Sequence, residues 1–88
     1  MAVNQSRINI GIDGIPRDQT EDKQVSAHMA EVFSSPAGKE TLRYLRSITI
    51  ESVCGPNIST EELRHIEGQR YLVGLIERRI SHAHRSKQ

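Results

Sequence analysis

Phe33-Ser34-Ser35-Pro36-Ala37-Gly38-Lys39 is the stretch on which the fold turns. Ser35 is suited to an N-cap, its hydroxyl oxygen accepting a bond from a free amide, and Pro36 suits the first helical position, where its missing N–H goes unneeded. The stretch therefore ends one helix and starts another, a two-helix corner. Upstream, Val25, Met29, Val32 and Phe33 share one face of a helix predicted over residues 20–34, and Glu21 and Asp22 sit early enough to favour its N-terminal dipole. Downstream, Leu42, Leu45 and Ile48 mark a second helix. It is expected to run to about residue 53, where Cys54-Gly55-Pro56-Asn57 breaks it. The β-branched Ile48-Thr49-Ile50 weakens its end, a cost that burial can override.

Ser59-Thr60-Glu61-Glu62 reads as a capping box, which opens a long third helix. Ile66, Leu72, Val73, Ile76 and Ile80 share one broad face of it, and Tyr71 and Leu75 project from nearly the opposite side. Those two meet either a second chain or the N-terminal arm. Gly68 and Gly74 lie inside this helix, each costing roughly 0.8 to 1 kcal/mol relative to Ala. A cost of that size implies close packing, here expected against another helix or against the Ala37-Gly38 corner, so that Gly68→Leu would overpack the joint. Arg70, one turn after Glu67, is expected to pair with it or to bond a helix-end carbonyl, with a ligand-binding role as the competing reading.

Before the first helix, Ile8, Ile10 and Ile12 alternate with Asn9 and Gly11, the period of an extended strand, and Asp13-Gly14 and Pro16 are turn signals. The chain offers this strand no evident partner. It is read either as an irregular lead-in laid on the helices or as an arm that pairs with a neighbouring subunit.

Eighty-eight residues with one Phe, two Tyr and no Trp make a single domain with a small core. The expected fold is all-α: a small three-helix domain over residues 20–82, a helix corner plus a long C-terminal helix. An extended N-terminal arm (1–19) precedes it and a basic tail (83–88) follows. Twelve Lys and Arg against eleven Asp and Glu leave no global field toward nucleic acid or membrane. Mean hydropathy is −0.55, and no apolar run approaches the roughly 18 residues of a membrane span. Cys54, the only cysteine, excludes an internal disulfide framework and fits a reducing compartment. Synthesis in a cytoplasm and no membrane partner are expected.

No catalytic, metal or cofactor set emerges. Ala37-Gly38-Lys39-Glu40 has the end of a phosphate-binding loop, but Phe33 stands where that motif needs its first glycine and a helix precedes it. His82 and His84 point apart on a helix and are read as solvated; Cys54 has no partner base at usable spacing. Arg78, Arg79, Arg85 and Lys87 are candidate phosphate contacts, with a frayed, solvated helix end as the competing reading.

Phe33, Ser35, Pro36, Gly38, Lys39, Leu42 and Leu45, followed after a loop by Glu67, Gly68 and Arg70, resemble a family of small tailed-phage proteins, the Bordetella-podovirus structural domain. The matching pieces cover residues 32–80, and the loop between the helices is shorter here than the family suggests. The resemblance implies a structural or assembly protein of the virion at the capsid or portal region. It also implies no enzymatic activity, and phage virion proteins or its own copies as partners. The residues expected to pack the helix junction are Phe33, Pro36, Gly38, Leu42, Leu45, Gly68 and Arg70. Candidate partner contacts are Ile8, Ile10, Ile12, Tyr71 and Leu75. Two other readings stay open, a DNA-binding packaging accessory using the basic tail and a non-virion regulatory or host-interaction protein.

Overall fold

The structure, a computed structural model, describes residues 8–86. About two thirds of it is helical, with a small two-stranded sheet. Strands β1 (Ile8–Ile10) and β2 (Pro16–Asp18) pair antiparallel, Ile8 opposite Asp18 and Ile10 opposite Pro16. Helices α1 (Gln19–Val32), α2 (Pro36–Ser47) and α3 (Thr60–Ser86) follow. The domain is thus helical but not all-α.

The hairpin corrects the expectation of a lone strand. Asp13-Gly14 does make a turn, with Asp13 Oδ1 accepting from the Ile15 amide at 3.0 Å and the Gly11 amide donating to the Ile15 carbonyl at 2.8 Å. That turn returns the chain upon itself. Pro-Arg-Asp has no apolar alternation to announce a strand, and Pro16 needs no ladder bond. Residues 1–7 of the expected arm lie outside the described residues.

Asp18 then caps α1, its Oδ1 accepting from the Thr20 amide at 2.8 Å. The face that α1 turns inward is polar. Asp22 and Ser26 are buried, whereas Val25 and Met29 are only half-buried and Val32 is 61% exposed. The apolar face expected from Val25, Met29, Val32 and Phe33 is therefore not the core face.

At the corner, Ser35 Oγ accepts from the Gly38 amide at 2.9 Å and Pro36 opens α2. A Cβ on Gly38 would collide with the Val32 carbonyl oxygen and stand 2.8 Å from Phe33 Cα. Glycine lets the two helices turn this tightly. The second helix ends at Ser47, six residues short of expectation. Beyond it the Arg46 carbonyl accepts from the Thr49 and Glu51 amides, and the Thr49 hydroxyl donates to the Leu45 carbonyl at 2.7 Å. In this run of β-branched residues a side-chain bond to the preceding turn closes the helix instead of extending it.

Ser59 caps α3, its Oγ accepting from the Glu62 amide at 3.1 Å. The Ser59 hydroxyl donates to the Glu62 carboxylate at 3.0 Å, where a reciprocal capping box would return that carboxylate to the serine amide. The main packing is α1 against the C-terminal half of α3, and a two-pronged bond from Arg46 to Glu77, 2.7 and 2.8 Å, ties α2 to α3. Among the described residues Val73 and Ala83 are the buried hydrophobic side chains; Ile66, Ile76 and Ile80 are half-buried and Leu72 is 59% exposed.

Gly38 and Gly68 separate in their consequences. No atom stands within 4 Å of a Cβ placed on Gly68. Gly38→Ala is expected to lower the unfolding free energy by about 2 kcal/mol through overpacking. Gly68→Ala should raise it by roughly 0.5 to 1 kcal/mol through helix propensity. Urea titrations followed by circular dichroism check both signs.

Candidate functional site

The densest chemistry lies where α1, the hairpin and α3 meet. Arg79 of α3 is 2% exposed. Its Nη1 donates to Asp22 Oδ1 at 2.6 Å, to the Asp22 carbonyl at 2.9 Å and to Ser26 Oγ at 3.1 Å, and its Nη2 donates to Asp13 Oδ2 at 3.2 Å. Arg17 of β2 donates to the same Asp13 oxygen at 2.7 Å. One guanidinium thus joins three segments of the chain. Gly11 makes the approach possible, since a Cβ there would stand 2.7 Å from Asp22 Oδ1 and 2.9 Å from Asp13 Oδ1.

Two arginines facing two carboxylates balance the local charge, which a buried cation requires. The Ile15 amide, more than any other group, holds the Asp13 carboxyl below its ordinary pKa; the bond and charge of Arg17 and the charge of Arg79 act in the same direction against desolvation. Among the described residues every buried side-chain polar atom has a hydrogen-bond partner.

Ser26 extends the cluster to His82, whose Nδ1 lies 2.7 Å from Ser26 Oγ. The guanidinium has only donors, so Ser26 Oγ accepts on that side. A serine, a histidine and an aspartate in one cluster share the composition of a hydrolase triad, but the geometry differs. Ser26 has no exposed surface to meet a substrate, and Asp22 holds Arg79 rather than the imidazole. His82 is therefore not the solvated side chain expected, whereas His84 is exposed. Beside the cluster, Asn9, Ile10, Lys23 and His82 border an open groove of about 300 Å³.

A second arginine organises the other end of α2. Arg70 Nε donates to the Thr49 carbonyl at 2.9 Å, Nη2 to the Ser52 carbonyl at 2.8 Å and Nη1 to Glu67 at 2.9 Å. Both expected bonds, to Glu67 and to a carbonyl at a helix end, are present. Cys54 Sγ lies 3.7 Å from Nη2. The Ser35–Lys39 corner and the Glu67–Arg70 stretch lie at opposite ends of α2 and are not two sides of one junction. Phe33, Leu42 and Leu45 are half-buried and Pro36 is exposed.

Of the candidate partner contacts, Ile8 and Ile10 are exposed, Ile12 and Leu75 are half-buried, and Tyr71 is 53% exposed. The Tyr71 hydroxyl reaches the Asp13 carbonyl at 3.5 Å, and the Arg78 guanidinium lies 5.4 Å from its ring centroid. The hairpin turn thus touches one edge of the ring and leaves the rest in solvent. Of the candidate phosphate contacts, Arg78 and Arg85 are exposed and Lys87 lies outside the described residues. Arg79 is consumed by the buried cluster, so its assignment to the basic tail is corrected.

Among the described residues no group of three or more His, Cys, Asp or Glu has metal-holding geometry, and no helix is long and apolar enough to cross a membrane. No protein-family model, curated protein or solved structure matches the chain.

Removing the Arg79 cation leaves the Asp22 carboxylate without its partner in a water-poor site, and Asp13 with Arg17 alone. Arg79→Met is expected to cost about 3 to 5 kcal/mol of stability, as for other broken buried pairs. Arg79→Lys should not restore the loss, because one ammonium lacks the planar fork that spans Asp22, Ser26 and Asp13. Thermal melts of both variants check this.

Proposed function

We propose that this chain is a structural or assembly protein of a tailed-phage virion at the capsid or portal region, acting through protein–protein contacts. The observation that carries the assembly reading is surface left uncovered. The chain exposes 6695 Å², whereas a compact monomer of its mass exposes about 5,200 Å². Its radius of gyration is 16.2 Å, against about 12 Å for a compact domain of this length. Among the described residues ten large apolar side chains stay exposed, including Ile8, Ile10, Tyr44, Ile48 and Tyr71. A chain with so few buried apolar residues gains stability by covering that area on partners.

The phage setting is supported by the spacing of Phe33, Ser35, Pro36, Gly38 and Lys39 with Glu67, Gly68 and Arg70. The geometry gives part of that spacing a physical basis. Ser35, Pro36 and Gly38 build the tight corner, and Arg70 with Glu67 closes the far end of α2. The partners under this reading are portal or capsid proteins and further copies of the chain. The DNA-binding alternative retains Arg78 and Arg85 but loses Arg79. Quantitative mass spectrometry of purified virions is expected to find the chain in fixed stoichiometry with a portal or capsid protein. Absence from particles at every stage of assembly overturns the reading, and steeply salt-dependent binding to duplex DNA would favour the alternative.

A further inference from the structure

We infer that the outer face of α3 is a self-pairing surface, on which a second copy of this chain docks its own α3 antiparallel. The inference rests on the assembly reading and names one of its partners. The strip lies between the hairpin, which Arg79 and the edge of Tyr71 meet, and α2, which Arg70 and Glu77 meet. Along it, Arg64, Glu67, Tyr71, Gly74, Arg78 and Ser81 recur at alternating three- and four-residue steps, over about 25 Å of helix. All are exposed except Gly74, which is half-buried.

Two independent features select the occupant and its direction. The first is charge order. A parallel copy would set Arg64 on Arg64 and Arg78 on Arg78, with Arg85 on Arg85 beyond, and like charges directly opposed repel. An antiparallel copy about a two-fold axis between Leu72 and Val73 sets Glu67 on the partner's Arg78 and Arg64 on the partner's Ser81, each contact made twice by symmetry. Glu67 has an exposed side chain even while bonded to Arg70, so its carboxylate is free to accept a second donor.

The second feature is Gly74. A Cβ there meets nothing within 4 Å in this chain, so nothing inside the protein requires a glycine that costs helix stability. In the antiparallel register the half-exposed Tyr71 ring falls on the partner's Gly74, where a bare backbone admits close approach of an aromatic face. Sliding the pair by one heptad in either direction takes the ring off that glycine. Charge order and glycine position therefore agree on one register.

Sedimentation equilibrium of the full chain over a concentration series tests the pairing. The wild type is expected to dimerise reversibly. Arg78→Glu and Glu67→Arg are each expected to weaken the dimer by about tenfold, since each turns two attractions into repulsions. The double variant carrying both exchanges should recover wild-type affinity. Gly74→Leu should unfold at the same or higher temperature than wild type yet dimerise at least tenfold more weakly. A wild type that stays monomeric overturns the inference, as do single variants that pair like wild type or a double variant that fails to recover. A monomer found in virions defeats the pairing alone; a charge-switchable dimer absent from virions defeats the virion reading alone.

Discussion

The Arg79 guanidinium is the constraint on which the rest of the structure depends. It sits almost fully out of water and bonds the hairpin through Asp13 and α1 through Asp22 and Ser26. A buried cation is tolerable only with its partners in place, so the hairpin cannot leave and α1 cannot rotate without exposing an uncompensated charge. Apolar packing would bind these elements with less positional demand. With Val73 and Ala83 as the buried hydrophobic side chains among the described residues, it has little area to act through. The polar cluster specifies the arrangement where the small core does not.

A second arginine repeats the device on a smaller scale. Arg70 takes the carbonyls of Thr49 and Ser52 in the turn after α2, and Arg46 links α2 to Glu77. Hydrogen bonds with α3 therefore position α2, while Tyr44 and Ile48 remain in solvent. The molecule is elongated, with directional internal ties and uncovered apolar residues, the features from which the assembly role is proposed.

Local signals in the chain were legible where their meaning is local. Ser35-Pro36 marked the start of α2 and Ser59 that of α3, because a cap acts within one helical turn. The hairpin is not legible because β2 is three residues long and begins with proline. The core face of α1 is hidden from the sequence because its inward residues are Asp22 and Ser26, which a hydrophobic period assigns to solvent; their role exists only through Arg79, 57 and 53 residues away. Arg79 itself was grouped with the tail by its neighbours in sequence, although its place on the wheel turns it inward. Of the glycines singled out, Gly38 has a close neighbour and Gly68 has none, a distinction that depends on which backbone approaches.

Amide hydrogen exchange on Arg79→Lys tests the central claim most directly, because it reads each segment separately. If Arg79 ties the hairpin to the helices, protection falls together in the hairpin and α1, while the Arg70-held turn after α2 keeps its wild-type rates. Unchanged protection in the hairpin and α1 would contradict the account.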